Sequence, residues 1–138
     1  MIDKNSFNNL KKKYYFLSDL PDKLQGLISD ELSPNSNIIG AYEVMINDKN
    51  GCILLLENKL LAFWMSKILF KKFPTLQEFD YAQINEVKNI ENEGLYIHSS
   101  ADLEILNEDY EEGKFIFESS AEKDEVAKII TSKSSRLK

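Results

Sequence analysis

The run Gly51-Cys52-Ile53-Leu54-Leu55-Leu56, the break Glu57-Asn58-Lys59 and the run Leu60-Leu61-Ala62-Phe63-Trp64-Met65, continuing to Ile68-Leu69-Phe70, decide the fold of this chain. Two apolar runs around a short polar break read as two mostly buried strands, over 52–56 and 60–70, turned at Glu57-Asn58. Glu57 and Lys59 sit near the middle of the stretch, so it is not a bilayer-spanning helix. The rest of the chain reads as strands added to this hairpin and helices that close it.

Upstream, Tyr42, Val44 and Ile46 alternate with Glu43, which predicts a strand over 38–46. The turn Asn47-Asp48-Lys49-Asn50-Gly51 follows, and its Asn-Gly end is expected to supply positive φ. Before the strand, Leu20, Leu24, Leu27, Ile28 and Leu32 form a helical stripe over 20–32. Asp19 is its expected N-cap, Pro21 stands in its first turn and Ser33-Pro34 stops it. Phe7, Leu10, Tyr14 and Leu17 predict an earlier helix over 6–17, with Lys11, Lys12 and Lys13 on a solvated face.

Downstream, Lys71-Lys72 and Pro74 read as a connection, and 75–84 alternates with Phe79 and Tyr81 on one face and Glu78 and Asp80 on the other. Shorter strands are expected at 86–91, 94–99 and 102–107, with Tyr96 and His98 facing out. Asp109 to Gly113 reads as an acidic loop before a last strand at Phe115 and Phe117. A helix over 120–132 closes the chain. Ser119 and Glu122 fit a capping box there, and Val126, Ile129 and Ile130 face inward.

This order of elements resembles a pleckstrin-homology-like barrel. The local sequence is similar to the bacterial pleckstrin-homology-like families, whose second and third strands read glycine, apolar run, Thr-Asn-x-Arg, apolar run. Here Gly51 opens the pattern, Leu56 stands in place of Thr, and Lys59 in place of Arg. Phe79-Asp80-Tyr81-Ala82-Gln83-Ile84-Asn85-Glu86-Val87 resembles the segment in which an aromatic strand leads to Ile-x-x-Val. Leu20-Pro21 and the Ile38 strand suit the members that carry an N-terminal helical extension. The resemblance covers roughly residues 20–132. It implies an α+β fold, a pleckstrin-homology-like antiparallel barrel or sandwich of seven to eight short strands, two N-terminal helices and one C-terminal capping helix. Another small antiparallel barrel, or a half-open sheet covered by helices, is the alternative. The chain divides on this reading into a helical extension packed on the barrel at 1–33, the barrel itself at 38–132 and a flexible tail at 133–138, within one structural domain.

The 138 residues suffice for a real core, and 43% apolar and 29% charged residues are ordinary for a globular chain. A net charge of −6 argues against nucleic acid as a partner. The single Cys52 excludes an internal disulfide and, with a polar N-terminus, points to a cytoplasm, which the resemblance implies to be bacterial or phage.

No residues are placed for catalysis. Cys52 lies in an apolar strand, His98 is the only histidine, and one Cys with one His lack metal-ligand spacing. No phosphate loop, calcium loop or cofactor motif is present. Phosphoinositide binding in eukaryotic pleckstrin-homology domains uses clustered basic residues on the first hairpin, whereas this turn offers Lys49, with Lys59 on the next. The strongest basic and aromatic cluster is Trp64, Lys67, Phe70, Lys71, Lys72 and Phe73. Trp64 and Phe70 are expected in the core, and an exposed aromatic among the six would be an interface anchor. The sequence therefore reads as a non-enzymatic module that binds a protein partner, along an open sheet edge or with a helix in a groove. The alternative is peripheral binding to anionic membrane lipid through Lys11–Lys13, Lys71 and Lys72. Homo-oligomerisation through a sheet edge is left open.

Overall fold

The computed structural model describes residues 4–32, 37–91, 93–100 and 110–134. Among them, helix α1 (Lys4–Lys13), a 3-10 turn (Tyr15–Asp19) and helix α2 (Asp22–Glu31) precede strands β1 (Ile38–Ile46), β2 (Lys49–Leu56), β3 (Lys59–Ile68) and β4 (Lys71–Asp80). A short 3-10 turn (Tyr81–Gln83) leads to β5 (Ile84–Asn89), β6 (Leu95–Ser100), β7 (Tyr110–Phe117) and helix α3 (Ser120–Lys133). All pairings are antiparallel, in the order β4-β3-β2-β1-β7-β6-β5. The sheet curls on itself. Three strands separate β4, with Phe79, from β7, with Phe115, in that order, yet the two rings meet edge to face at 5.9 Å.

The continuous apolar run of β2 has a physical reason: the strand is covered on both faces. Ile53 and Leu55 point inward to Val44, Leu60, Phe79, Ile97, Phe115 and the α3 residues Val126 and Ile130. Cys52, Leu54 and Leu56 point outward, where Leu61 and Phe63 of β3 join Phe7, Leu10, Leu17, Leu24 and Ile28 of the N-terminal segment. α2 lies against β3 and β4, and α3 against β5 and β7.

Gly51 carries a different duty from the one expected. Positive φ in the β1–β2 turn falls on Asn47 (50°) and Asp48 (70°), and no glycine has it. Gly51 is instead inside β2, where a Cβ would stand 2.1 Å from the Phe63 carbonyl oxygen. Close approach of β3, and not turn geometry, requires glycine there.

The N-terminal helix is shorter than its apolar stripe. It stops at Lys13 because Tyr14 leaves the helical region (φ −122°, ψ 89°), and the chain tightens into the 3-10 turn that still buries Leu17. Asp19 lies in that turn and does not cap α2. Pro21 holds the N-cap position without a side-chain bond, while Gln25 Nε2 donates to the carbonyls of Ser18 and Leu20.

Lys71, Lys72 and Pro74 belong to β4, not to a connection. Proline is tolerated because β4 is an edge of the sheet. Residues 110–113 of the expected acidic loop are strand, since β7 begins at Tyr110. Residues 108–109, the strand expected at 102–107 and the tail 135–138 lie outside the described residues.

Ser119 caps α3 by accepting from the Glu122 N–H at 3.2 Å. The helix runs through Lys133, into the stretch expected as tail. Two bonds hold α3 to the end of β5: buried Lys123 donates its Nζ to the Ile90 carbonyl at 2.6 Å, and Asn89 donates to Asp124 at 2.8 Å.

Candidate functional site

β3 and β4 pair without interruption from Lys59 opposite Asp80 to Ile68 opposite Lys71, leaving Leu69 and Phe70 as a two-residue turn. At the base of this hairpin the side chains are enclosed, Leu60 and Ala62 by the inner core and Leu61 and Phe63 by the outer layer. Toward the turn, exposure climbs to 62% at Ile68, 84% at Leu69 and 98% at Phe70. Single exposed hydrophobics are ordinary, but three in succession at a protruding tip are a feature.

The rim of the tip is cationic. Lys67 stands directly across from Lys72, a like-charged pair, and Lys71 stands across from Ile68. All three lysines are exposed. Among the described residues the ion pairs are Lys59–Glu78 at 2.6 Å and Lys88–Glu86 at 3.8 Å, and neither involves a tip lysine. No Asp or Glu occurs between Asn58 and Gln77.

Of the six residues singled out in the sequence, the hairpin end gathers Lys67, Phe70, Lys71, Lys72 and Phe73. Phe73 is 36% exposed. Phe70 is not core, contrary to expectation. Trp64 lies deeper, half-buried against the inner cluster and across from Thr75. Ile68 and Leu69 complete the tip and were hidden in the expected strand over 60–70. Their turn has no Gly, Asn, Asp or Pro to mark it.

Leu69 holds φ at 59°, in the left-handed region. That conformation disfavours a branched, non-glycine residue by about 1–2 kcal/mol. Leu69→Gly is therefore expected to stabilise the fold by about 0.5–1 kcal/mol, the relieved strain less the added freedom of the unfolded chain. Chemical denaturation of the two proteins measures it, and a loss of stability would contradict the strain.

A groove of about 400 Å³ opens elsewhere, lined by Tyr14, Phe16, Tyr42 and the carboxylates Glu43, Glu118, Glu122 and Glu125. The Tyr42 hydroxyl donates to Glu125, and burial with that carboxylate pushes the phenol well above its ordinary range. Partial burial, a hydrogen bond with Glu118 and that residue's charge raise the Glu43 carboxyl. Burial, then Glu118 and Glu125, raise Glu122. A carboxyl raised on folding favours the fold when protonated, so this contribution is full below the unfolded pKa of about 4.3 and is lost as pH rises through the folded value. Glu43→Gln should accordingly stabilise the fold at pH 7, by about 0.5 kcal/mol after allowance for solvent screening. The gain should vanish near pH 4. Urea melts at both values test this, and an equal loss at both would contradict it.

Other chemistry-bearing side chains are engaged in the fold. Cys52 is fully buried, and burial pushes its thiol up to about 12, so it is not a thiolate at neutral pH. His98 is half-buried, with Nδ1 2.7 Å from Asn85 Oδ1. Lys11 and Lys13 lie over the rings of Phe7 and Tyr14, at 4.9 and 5.6 Å. Among the described residues there is no cluster of three metal-ligating side chains, and no helix is long and apolar enough to cross a membrane.

No known protein family matches the chain, and no curated protein matches it. Solved structures do. The DH/PH domains of p115-RhoGEF align over 87% of this chain with a TM-score of 0.54 at 10% identity. The DH/PH domains of PDZ-RhoGEF, in a complex with activated RhoA, align over 87% with a TM-score of 0.56 at 12% identity. This chain covers 36% and 35% of those longer chains. At such identity the likeness carries the fold alone. Among the described residues, seven antiparallel strands in one curled sheet, closed by a C-terminal helix, therefore form an α+β sandwich of the pleckstrin-homology-like type.

Proposed function

We propose that this chain is a non-catalytic binding module that meets its target through the tip of the β3–β4 hairpin. The observation that carries this reading is the exposure of Ile68, Leu69 and Phe70 together, at 62%, 84% and 98%. Burying an aliphatic or aromatic side chain of this size is worth about 1.5–3 kcal/mol. Three of them in water are a reserve of several kcal/mol that docking would release. Leu69 adds to the reading, because strain in a branched residue is retained where the side chain has a use. Phe70 belongs to the partner-binding cluster expected from sequence, and Lys71 and Lys72, expected to meet an anionic membrane, follow it directly.

The test is mobility in the cell. A fluorescently tagged chain should diffuse more slowly than an inert protein of its size, and Leu69→Ser with Phe70→Ser should restore free diffusion. Both residues are exposed, so the variant keeps the fold, which a melting curve checks. Equal diffusion of the folded variant and the wild type would contradict the proposal.

A further inference from the structure

From Lys67 to Phe73 the sequence reads Lys-Ile-Leu-Phe-Lys-Lys-Phe. The hairpin end thus offers apolar surface and positive charge, with no side-chain acceptor and no hydroxyl or amide. A protein interface typically carries about ten direct hydrogen bonds between the partners. A bilayer asks for no directional bond. It presents a hydrocarbon layer without direction beneath a layer of headgroups, and anionic headgroups attract lysine at any orientation.

The order of the side chains along the hairpin matches the order of those layers. Leu69 and Phe70 form the turn, Ile68 and Lys71 the first cross-strand pair, and Lys67 and Lys72 the second. At about 3.3 Å per residue, the second pair stands roughly 5–7 Å behind the turn. Interfacial segments bury their apolar side about 5–10 Å deep. With Phe70 and Leu69 among the acyl chains, the lysines would lie at the headgroups, their ammoniums reaching the phosphates. Charge directs the approach as well. The chain carries −6 overall, and Glu43, Glu118, Glu122 and Glu125 gather in the groove away from the tip, so an anionic surface repels most of the molecule and attracts the hairpin end.

We infer that the β3–β4 hairpin tip inserts Leu69 and Phe70 into an anionic bilayer, with Lys67, Lys71 and Lys72 at the headgroups. This rests on the tip being the docking element. It differs from headgroup capture by a basic first hairpin: the β1–β2 turn residues Asn47 and Asp48 carry no positive charge.

The experiment is sedimentation of the full chain with vesicles of phosphatidylcholine, with and without about 30% phosphatidylglycerol. The wild type should bind the anionic vesicles and leave the neutral ones largely unbound. Phe70→Ser should weaken binding about tenfold or more, the effect of removing one large buried side chain. Lys71→Glu with Lys72→Glu, or about 0.5 M salt, should abolish it. A second measurement reads depth: Phe70→Trp should be quenched by brominated acyl chains well beyond the half-buried native Trp64. Failure of the wild type to bind, binding indifferent to Phe70→Ser, or an unquenched new tryptophan would each overturn the inference. If vesicles capture nothing while Leu69→Ser with Phe70→Ser still frees the chain in cells, the target is a protein. The docking tip then stands and the bilayer falls.

Discussion

Phe63→Ala is expected to destabilise the fold by about 3–5 kcal/mol, the range for truncating a large aromatic in a packed core. Phe63 is fully buried in the outer cluster, where β2 and β3 meet Phe7, Leu10, Leu17, Leu24 and Ile28. Removing its ring opens a cavity between the sheet and the N-terminal helices, and neither wall can close it without giving up strand pairing or helix contacts. Denaturant melts should show one transition moving to lower midpoint, because the helices and the sheet share this cluster. Two separated transitions, or a loss under about 1 kcal/mol, would contradict a shared core.

Gly51→Ala is expected to cost about 3 kcal/mol, a large effect for one methyl group. The added Cβ would meet the Phe63 carbonyl oxygen at 2.1 Å, a backbone atom that cannot rotate away. β2 and β3 must separate where Gly51 faces Trp64, which strains the pairing along the buried run of β2. Gly26, where a Cβ would meet nothing within 4 Å, supplies the control, and Gly26→Ala in the middle of α2 should stabilise by about 0.5–1 kcal/mol. Equal effects at the two positions would show that the Phe63 contact does not matter.

Much of this fold is legible in the sequence because its strands announce themselves in two ways. β1 alternates from Tyr42 to Ile46, as a stretch with one covered face must, and its expected bounds of 38–46 are the observed ones. β2 is apolar throughout because both its faces are covered, and the polar break at Glu57-Asn58 separates it from β3. The α3 cap was readable at Ser119, since a serine oxygen accepting from the third residue on is a local interaction.

What escaped depended on tertiary contact or on an unusual turn. The need for glycine at position 51 comes from a strand that follows it in sequence. The β3–β4 turn has Leu69 at positive φ, where turn chemistry asks for glycine or asparagine, so the sequence pattern carries β3 two residues past its end and starts β4 four residues late. The same turn explains the partial sight of the site. Lys67, Phe70, Lys71, Lys72 and Phe73 stood out by composition. Ile68 and Leu69 look like ordinary strand residues, and Trp64, expected in the core, packs half-buried against it. The strained leucine was both the obstacle to reading the turn and part of what the tip presents.

The central claim is that the hairpin tip is where this protein meets its target. It is tested most directly by placing a photo-crosslinking amino acid at position 70 and, as control, at exposed Lys23 of α2, then irradiating living cells. The account predicts abundant adducts from position 70 and few from position 23, with the mass of the adduct telling lipid from protein. Equal labelling from both positions, or none from position 70, would contradict it.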